Sequence, residues 1–186
     1  MARLRAGDAA AFDLVYAAWN GRLFTFLLRL SRQRDTAEDL LEETWMRLVR
    51  HAARLQADTR LGPWLFTVAR NLHVSYVRSR LLEDASSVAL VALWPASPVR
   101  TSPFEEAAAL ELERRLERAI ATLPMASREV LLLVGVAGLD AADAADVCGI
   151  TPQAVRQRLH RAREALAAAL ERESAVPVAR WQEVEP

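Results

Sequence analysis

Apolar positions recur along this chain at three- and four-residue spacings. Phe12, Val15, Tyr16 and Trp19 form one stripe, and Leu23, Phe24, Phe26, Leu27, Leu28 and Leu30 continue it more densely. That period is one face of an amphipathic helix, and its thickening predicts a helix over residues 8–30 that turns inward as it proceeds. Asn20-Gly21 is where a break is expected. The next helix starts at Asp35 or Thr36 and puts Leu40, Leu41, Thr44, Trp45 and Leu48 on its core face. A polar loop, Gln56 to Arg60, leads to Leu61-Gly62-Pro63-Trp64 and a third helix to about Arg80, with Trp64, Leu65, Val68, Leu72 and Val77 inward.

Residues 81–104 lose the period. Pro95, Pro98, Pro103 and several serines mark a linker. Its apolar stretch Val88 to Trp94 is expected to dock, on its own domains or on a partner. Helix resumes at Pro103 to Glu105 and carries Leu110, Leu112, Leu116, Ile120 and Leu123 before Pro124 stops it. Another runs from Ser127 to Val136. After Leu170 the tail has no period, and Trp181 is its one notable side chain. The fold class is all-α: helical domains at 1–80 and 105–172, the linker 81–104 between them, and a tail at 173–186.

The stretch Asp140 to Arg163 carries the sharpest local pattern. Asp140 is the expected N-cap of a short helix ending at Cys148. Gly149 stops it, because glycine takes the left-handed conformation of a tight turn. Ile150 pins the turn, Thr151 caps a second helix, and Pro152 sits in its first turn, where a missing N–H costs nothing. Two helices joined by a short glycine turn make a helix-turn-helix, with small Ala145 where they cross. Val155, Leu159, Ala162 and Leu166 are the buried stripe of the second helix. Gln153, Arg156, Gln157, His160, Arg161 and Arg163 lie on its other faces. From Thr151 to Arg163 there are four arginines, one histidine and no acid. Arginine and glutamine are side chains that read guanine and adenine edges in the major groove. The plain alternative is a solvated basic face on an ordinary helical hairpin.

Composition refines this picture. The 186 residues are 52% hydrophobic, which suits a globular chain of one or two small domains. All 24 basic residues are arginine, and 24 acids bring the net charge to zero. A neutral chain argues against nucleic acid until the halves are separated. Residues 1–80 hold 13 arginines and 8 acids, a net +5; residues 81–186 hold 11 arginines and 16 acids, a net −5. The single cysteine, Cys148, excludes an internal disulfide and suits a reducing cytoplasm. The longest apolar runs are too short to span a bilayer, and the N-terminus lacks a signal-peptide pattern. His51, His73 and His160 have no metal-ligand spacing with Cys148, and no glycine-rich phosphate loop occurs. No cofactor, no metal and no enzymatic chemistry are expected.

Two further stretches are candidate surfaces. Glu38, Asp39, Glu42 and Glu43 make the first half of the second helix acidic, with Arg47, Arg50 and Arg54 following. That order suits the helix dipole and reads either as a solvated face or as a docking surface for a basic partner helix. Arg60, Arg70, Asn71, Arg78 and Arg80 are interleaved with Trp64, Phe66 and Tyr76. Basic groups with aromatic neighbours beside a loop suit single-stranded nucleic acid. Trp64 alone reads equally as a core tryptophan beneath surface arginines.

Four pieces in order resemble a known family. LRAGDAAAFDLVYAAW looks like the opening helix of a sigma-70-family factor of the extracytoplasmic-function group. AEDLLEETWMRL resembles its A-E-D-x-x-Q-E-T-F-x-R motif, with Glu42 in place of Gln. WLFTVARN resembles W-L-x-x-I-A-R-N. LPMASREVLLLVGVAGLDAADAADVCGITPQAVRQRLHRAR resembles the second conserved domain without a gap. This chain departs from the family in Asp143-Ala144-Ala145 for E-I-A, Gln153-Ala154-Val155 for G-T-V, and Leu61-Gly62 where many members carry an aromatic.

The resemblance implies a cytoplasmic initiation factor that binds core RNA polymerase and promoter DNA and is held by an anti-sigma factor. Asp39, Glu42, Glu43 and Trp45 would dock on the β′ clamp helices, and the second domain would meet the β flap. Arg60, Leu61, Trp64, Arg70 and Asn71 would melt and hold the −10 element. Gln153, Arg156, Gln157, His160, Arg161 and Arg163 would read the −35 element as duplex. The linker would thread toward the active-centre cleft. A helix-turn-helix repressor or response-regulator output protein is the alternative. It accounts for the second half and not for the acidic and aromatic patterns of the first.

Overall fold

The first long helix forms because Asp8 caps it: its carboxylate accepts from the Ala11 amide at 3.2 Å. Arg3 donates to the same carboxylate at 2.7 Å and ties the short helix α1 (Ala2–Arg5) to α2 (Ala9–Ser31). These interactions hold the Asp8 carboxyl below its ordinary range, Arg3 contributing most. The computed structural model describes residues 1–83 and 103–174, with side chains over 1–82 and 111–172. The apolar linker stretch Val88 to Trp94, Leu110 and the tail with Trp181 lie outside the described side chains.

α2 runs unbroken through Asn20-Gly21, against expectation. Asn20 is used across helices: its side-chain oxygen accepts from the Trp45 indole at 3.0 Å. Arg32, in the left-handed region at φ 60°, ends α2 and turns the chain into α3 (Arg34–His51). A single 3-10 turn (Ala52–Arg54) and a short loop lead to α4 (Leu61–Glu83). Leu23, Phe26 and Leu27 of α2, Leu48 of α3, and Leu65 and Phe66 of α4 are fully buried together. Phe26 and Phe66 meet edge to face at 5.2 Å.

The second half comprises α5 (Pro103–Thr122), α6 (Met125–Gly135), α7 (Ala141–Cys148) and α8 (Pro152–Ser174). Leu112, expected inward on α5, is exposed. Buried Arg128 of α6 donates to the carbonyls of Ile120, Ala121 and Leu123. These carbonyls close α5, where few helical donors remain, so this arginine helps satisfy a buried helix terminus. Val130, Leu132 and Leu133 pack with Val147 and Val155.

Among the described residues the protein is 85% helical and has no strand. The two halves are not independent spheres. One apolar core runs through both, with α4 against α7 and α2 against α5 and α6.

Candidate nucleic-acid interface

The helix-turn-helix forms as its caps dictate. Asp140 accepts from the amides of Ala142 and Asp143 at 2.9 and 2.8 Å. Gly149 ends α7 at φ 65°, where a side chain would be strained. The Thr151 hydroxyl accepts from the Ala154 amide at 3.1 Å and starts α8. Val155 and Ala162 are buried, while Leu159 and Leu166 are half-buried beside them. This stripe fixes the rotation of α8 and leaves Gln153, Arg156, Gln157, His160, Arg161 and Arg163 exposed. His160 lies 3.4 Å from Glu164, a surface pair one turn on. Arg158 is half-buried.

The second candidate surface begins at Arg60, whose carbonyl accepts from the Trp64 amide at 3.1 Å and opens α4. Arg60, Trp64 and Asn71, at i, i+4 and i+11, share one stripe, because a helix turns by about 100° per residue. Arg70 falls on a neighbouring face, toward α6. Its guanidinium donates to buried Glu129 at 3.0 Å. Arg60 pairs with Asp143 and lies 3.8 Å from Asp140. Asn71 is exposed; Leu61 and Trp64 are half-buried. Phe66, read above among the aromatic neighbours of the arginines, is a core residue with no exposed surface. Gly62 is buried because Trp19 lies over it: a Cβ there would come within 2.6 Å of the indole.

The acidic surface is α3. Asp39 and Glu42 are exposed on one face. Glu43 is drawn into pairs with Arg47 at 3.0 Å and Arg50 at 3.4 Å. Trp45 does not join them at the surface. It is 7% exposed, packed against Phe12 and Tyr16, with its N–H satisfied by Asn20. A tryptophan so held fastens α3 to α2 and presents little of itself to a partner.

Electrostatics mark the ground between the halves. Burial pushes the Asp143 carboxyl up, against the pull of Arg60. The Asp143 amide that Asp140 caps holds the Asp140 carboxyl down. His73 of α4 is buried beside Arg128 and Arg70, and burial followed by those two cations lowers it to about 4. Burial, then Glu129, raises Cys148 to about 11, so it is a protonated, unreactive thiol. The sequence reading missed His73, Arg128 and Glu129 as buried groups. Only the opposite net charges of the halves pointed to ion pairs between them.

Two helical halves on one core, one exposing a basic helix face and the other an acidic and an arginine-bearing surface, suit a protein that works on nucleic acid beside a protein partner. The Sigma-70 region 2 family matches residues 15–83, and the Sigma-70 region 4 family matches residues 113–166. The ECF RNA polymerase sigma factor EcfG of Rhodopseudomonas palustris is 36% identical over 150 residues, which are 80% of this chain and 78% of that one. The RNA polymerase sigma factor CarQ of Myxococcus xanthus is 34% identical over 168 residues, 89% of this chain and 92% of that one. The sigma factor RpoE from Bartonella quintana, solved in complex with the anti-sigma factor NepR, superposes with a TM-score of 0.73 at 28% identity, covering 91% of this chain and 99% of that one. CnrH, solved with the cytosolic domain of CnrY, shares the fold at a TM-score of 0.69 and 24% identity, over 92% of this chain and 95% of that one.

The chain belongs to the sigma-70 family, in its extracytoplasmic-function group of RNA polymerase sigma factors. It is a transcription initiation factor and not an enzyme. The match of its first half to region 2 sets it apart from a repressor carrying a helix-turn-helix alone.

Proposed function

We propose that this sigma factor divides promoter recognition between its halves. α8 reads the −35 element in the major groove through Arg156, Gln157 and His160, with Gln153 at its start and Arg161 and Arg163 toward the phosphates. The start of α4 melts and holds the −10 strand, with Arg60, Arg70 and Asn71 on the strand and Leu61 and Trp64 shaping the pocket. Unstacking a base costs about a few kcal/mol, which contacts to the captured strand offset. The observation that carries this reading is the rotation of α8: its buried stripe leaves all six polar reading candidates in solvent.

Core polymerase docks on the acidic face of α3, at Asp39, Glu42 and Glu43, through its β′ clamp helices, and its β flap meets the second half. Trp45 supports that face from beneath. The factor works in the cytoplasm; no helix among the described residues is long and apolar enough to cross a membrane. The partner of the Bartonella quintana relative supports an anti-sigma factor for this chain also.

Run-off transcription with purified core polymerase on genomic fragments tests the whole reading. Discrete start sites that require this chain are the expected result, and core polymerase alone giving the same starts would sink it. Charge reversal at Asp39 and Glu42 tests the docking face. Core pull-down should be lost with helicity unchanged, because opposed charges fix the register of such an interface. Undiminished pull-down by that variant moves the docking face elsewhere.

A further inference from the structure

Three arginines of the first half pair with acids across the seam between the halves. Arg29 donates to Glu117 at 2.7 Å and Arg70 to Glu129 at 3.0 Å. Arg60 meets Asp143. Arg22 of α2 differs from all three. It is exposed, and among the described residues its partner is an aromatic ring and no carboxylate. The guanidinium lies over the Trp19 indole, 5.5 Å from the ring centroid. Trp19 and Arg22 stand at i and i+3, which makes them neighbours on one face of α2.

Two contacts place this pair beside the start of α4. The edge of the Trp19 indole lies over Gly62, in the first turn of that helix. Arg22 reaches Gly138, where a Cβ would lie 3.8 Å from Nη1. Arg60 stands 3.8 Å from Asp140, a little further along the same segment. The two guanidinium groups therefore approach one short stretch of chain, one from α2 and one from the start of α4. Residues 55–62 contain no aromatic side chain, so the indole at this loop comes from α2.

The chemistry of the pair suits a phosphate. Stacking uses the flat face of a guanidinium, and its N–H donors point outward in the plane of the group. A ring beneath the group also restrains a long side chain that would otherwise lose its freedom only on binding. The result is an exposed, oriented cation with no acid to neutralise it. We propose that Arg22 holds a backbone phosphate of the melted strand next to the nucleotides at the start of α4, and that Trp19 positions it. The proposal rests on the assignment of the start of α4 to the −10 strand. A phosphate contact carries no sequence information, so Arg22 lengthens the grip on the strand and leaves the choice of bases to α4.

The test uses holoenzyme and a pre-melted promoter fragment from a mapped start site, titrated over salt. Arg22→Ala should weaken binding by about tenfold, the loss of one charge-assisted hydrogen bond. The slope of log affinity against log salt should flatten by about 0.7, the share of one single-strand phosphate. Base preference within the −10 element should stay as it is. Arg22→Lys keeps the charge and should keep the slope, with an affinity between the other two. Unchanged affinity and slope in Arg22→Ala overturn the contact. A shifted base preference with an unchanged slope overturns the phosphate assignment.

Trp19 also meets Phe66 at 6.2 Å, so its loss alone mixes packing with positioning. A double-mutant cycle separates the two. Trp19→Met removes the ring and keeps an apolar side chain; Trp19→Leu serves if that variant loses helicity by circular dichroism. Binding should weaken in the wild-type background and lose nothing more once Arg22→Ala is present. Equal loss in both backgrounds overturns the positioning role. A separate arm, holoenzyme carrying Arg60→Ala and Asn71→Ala, tests the assignment beneath. Wild-type binding of the pre-melted fragment by that variant removes the strand from the start of α4, whatever Arg22 shows.

Discussion

The surfaces proposed to read the −35 element, on α8, and to melt the −10 element, at the start of α4, are both arginine-bearing, yet they sit differently in the protein. On α8 the arginines stand off a helix whose opposite stripe is buried, and Arg156, Arg161 and Arg163 project into solvent. Arg60, just before α4, and Arg70 on it turn to carboxylates of the other half. Duplex DNA offers its groove without being opened, so a rigid exposed helix is enough. A melted strand has to be captured, and groups strong enough to capture phosphate also attract any carboxylate within reach.

The largest effect lies beneath the α4 surface. Phe66 has no exposed surface and meets Phe26 and Trp19 edge-on. Phe66→Ala should cost about 3–5 kcal/mol by loss of burial and the cavity left behind. Urea titration checks the size. Because one core serves both halves, circular dichroism and tryptophan fluorescence should lose structure together. Two separate transitions would show that the seam adds little to stability, and the contrast between the surfaces would then be one of position alone.

His73 gives the next effect. It lies on α4 at the seam, neutral in the folded protein because burial, Arg128 and Arg70 lower it from 6.5 to about 4. In the unfolded chain it takes a proton near 6.5. Its contribution is therefore complete above pH 6.5 and is lost as the pH falls through about 4. The melting temperature should drop between pH 7 and pH 5, and His73→Gln should flatten that drop. An equal drop in both proteins would place the sensitivity in other groups.

How much of this was legible in the sequence depends on what kind of contact made it. The caps Asp140 and Thr151, the stop at Gly149 and the Val155 stripe were readable because each is set within a few residues. The four motifs placed the family for the same reason, being local strings in a fixed order. Trp45 was read on the core face, where it lies, but also given to the docking surface, and Phe66 was set among the surface arginines; an aromatic at a helical spacing does not say how deep the neighbouring helices lie. The expected break at Asn20-Gly21 failed because Asn20 answers to Trp45, 25 positions away. Nothing in the sequence pattern singled out Glu129 and Arg128. Their burial follows from α5 ending on one side and α4 passing on the other, and no local pattern records that.

Arg156 sharpens the comparison from the α8 side. If it reads a base edge, Arg156→Ala should relax preference at one −35 base pair by about 1–3 kcal/mol and leave the others alone. A library of −35 variants transcribed by mutant holoenzyme measures this. Unchanged preference at every position would mean that α8 does not enter the groove by this face.

Arg163 should give the smallest effect, and it tells the two roles of arginine apart on a single helix. It lies seven residues after Arg156, hence on nearly the same stripe and about 10 Å further along the axis. A recognition helix contacts base edges with its N-terminal residues, so a side chain two turns on has passed the floor of the groove and reaches the backbone. A phosphate contact carries no sequence information, and its loss weakens all promoters alike. Arg163→Ala should leave the −35 preference as it is. The slope of log affinity against log salt should flatten by about 0.9, one phosphate's share of released counterions. Holoenzyme binding to two promoters of different −35 sequence, titrated over salt, gives both quantities at once. A changed preference with an unchanged slope would make Arg163 a base reader, and the helix would then lie deeper along the groove than its exposed stripe implies.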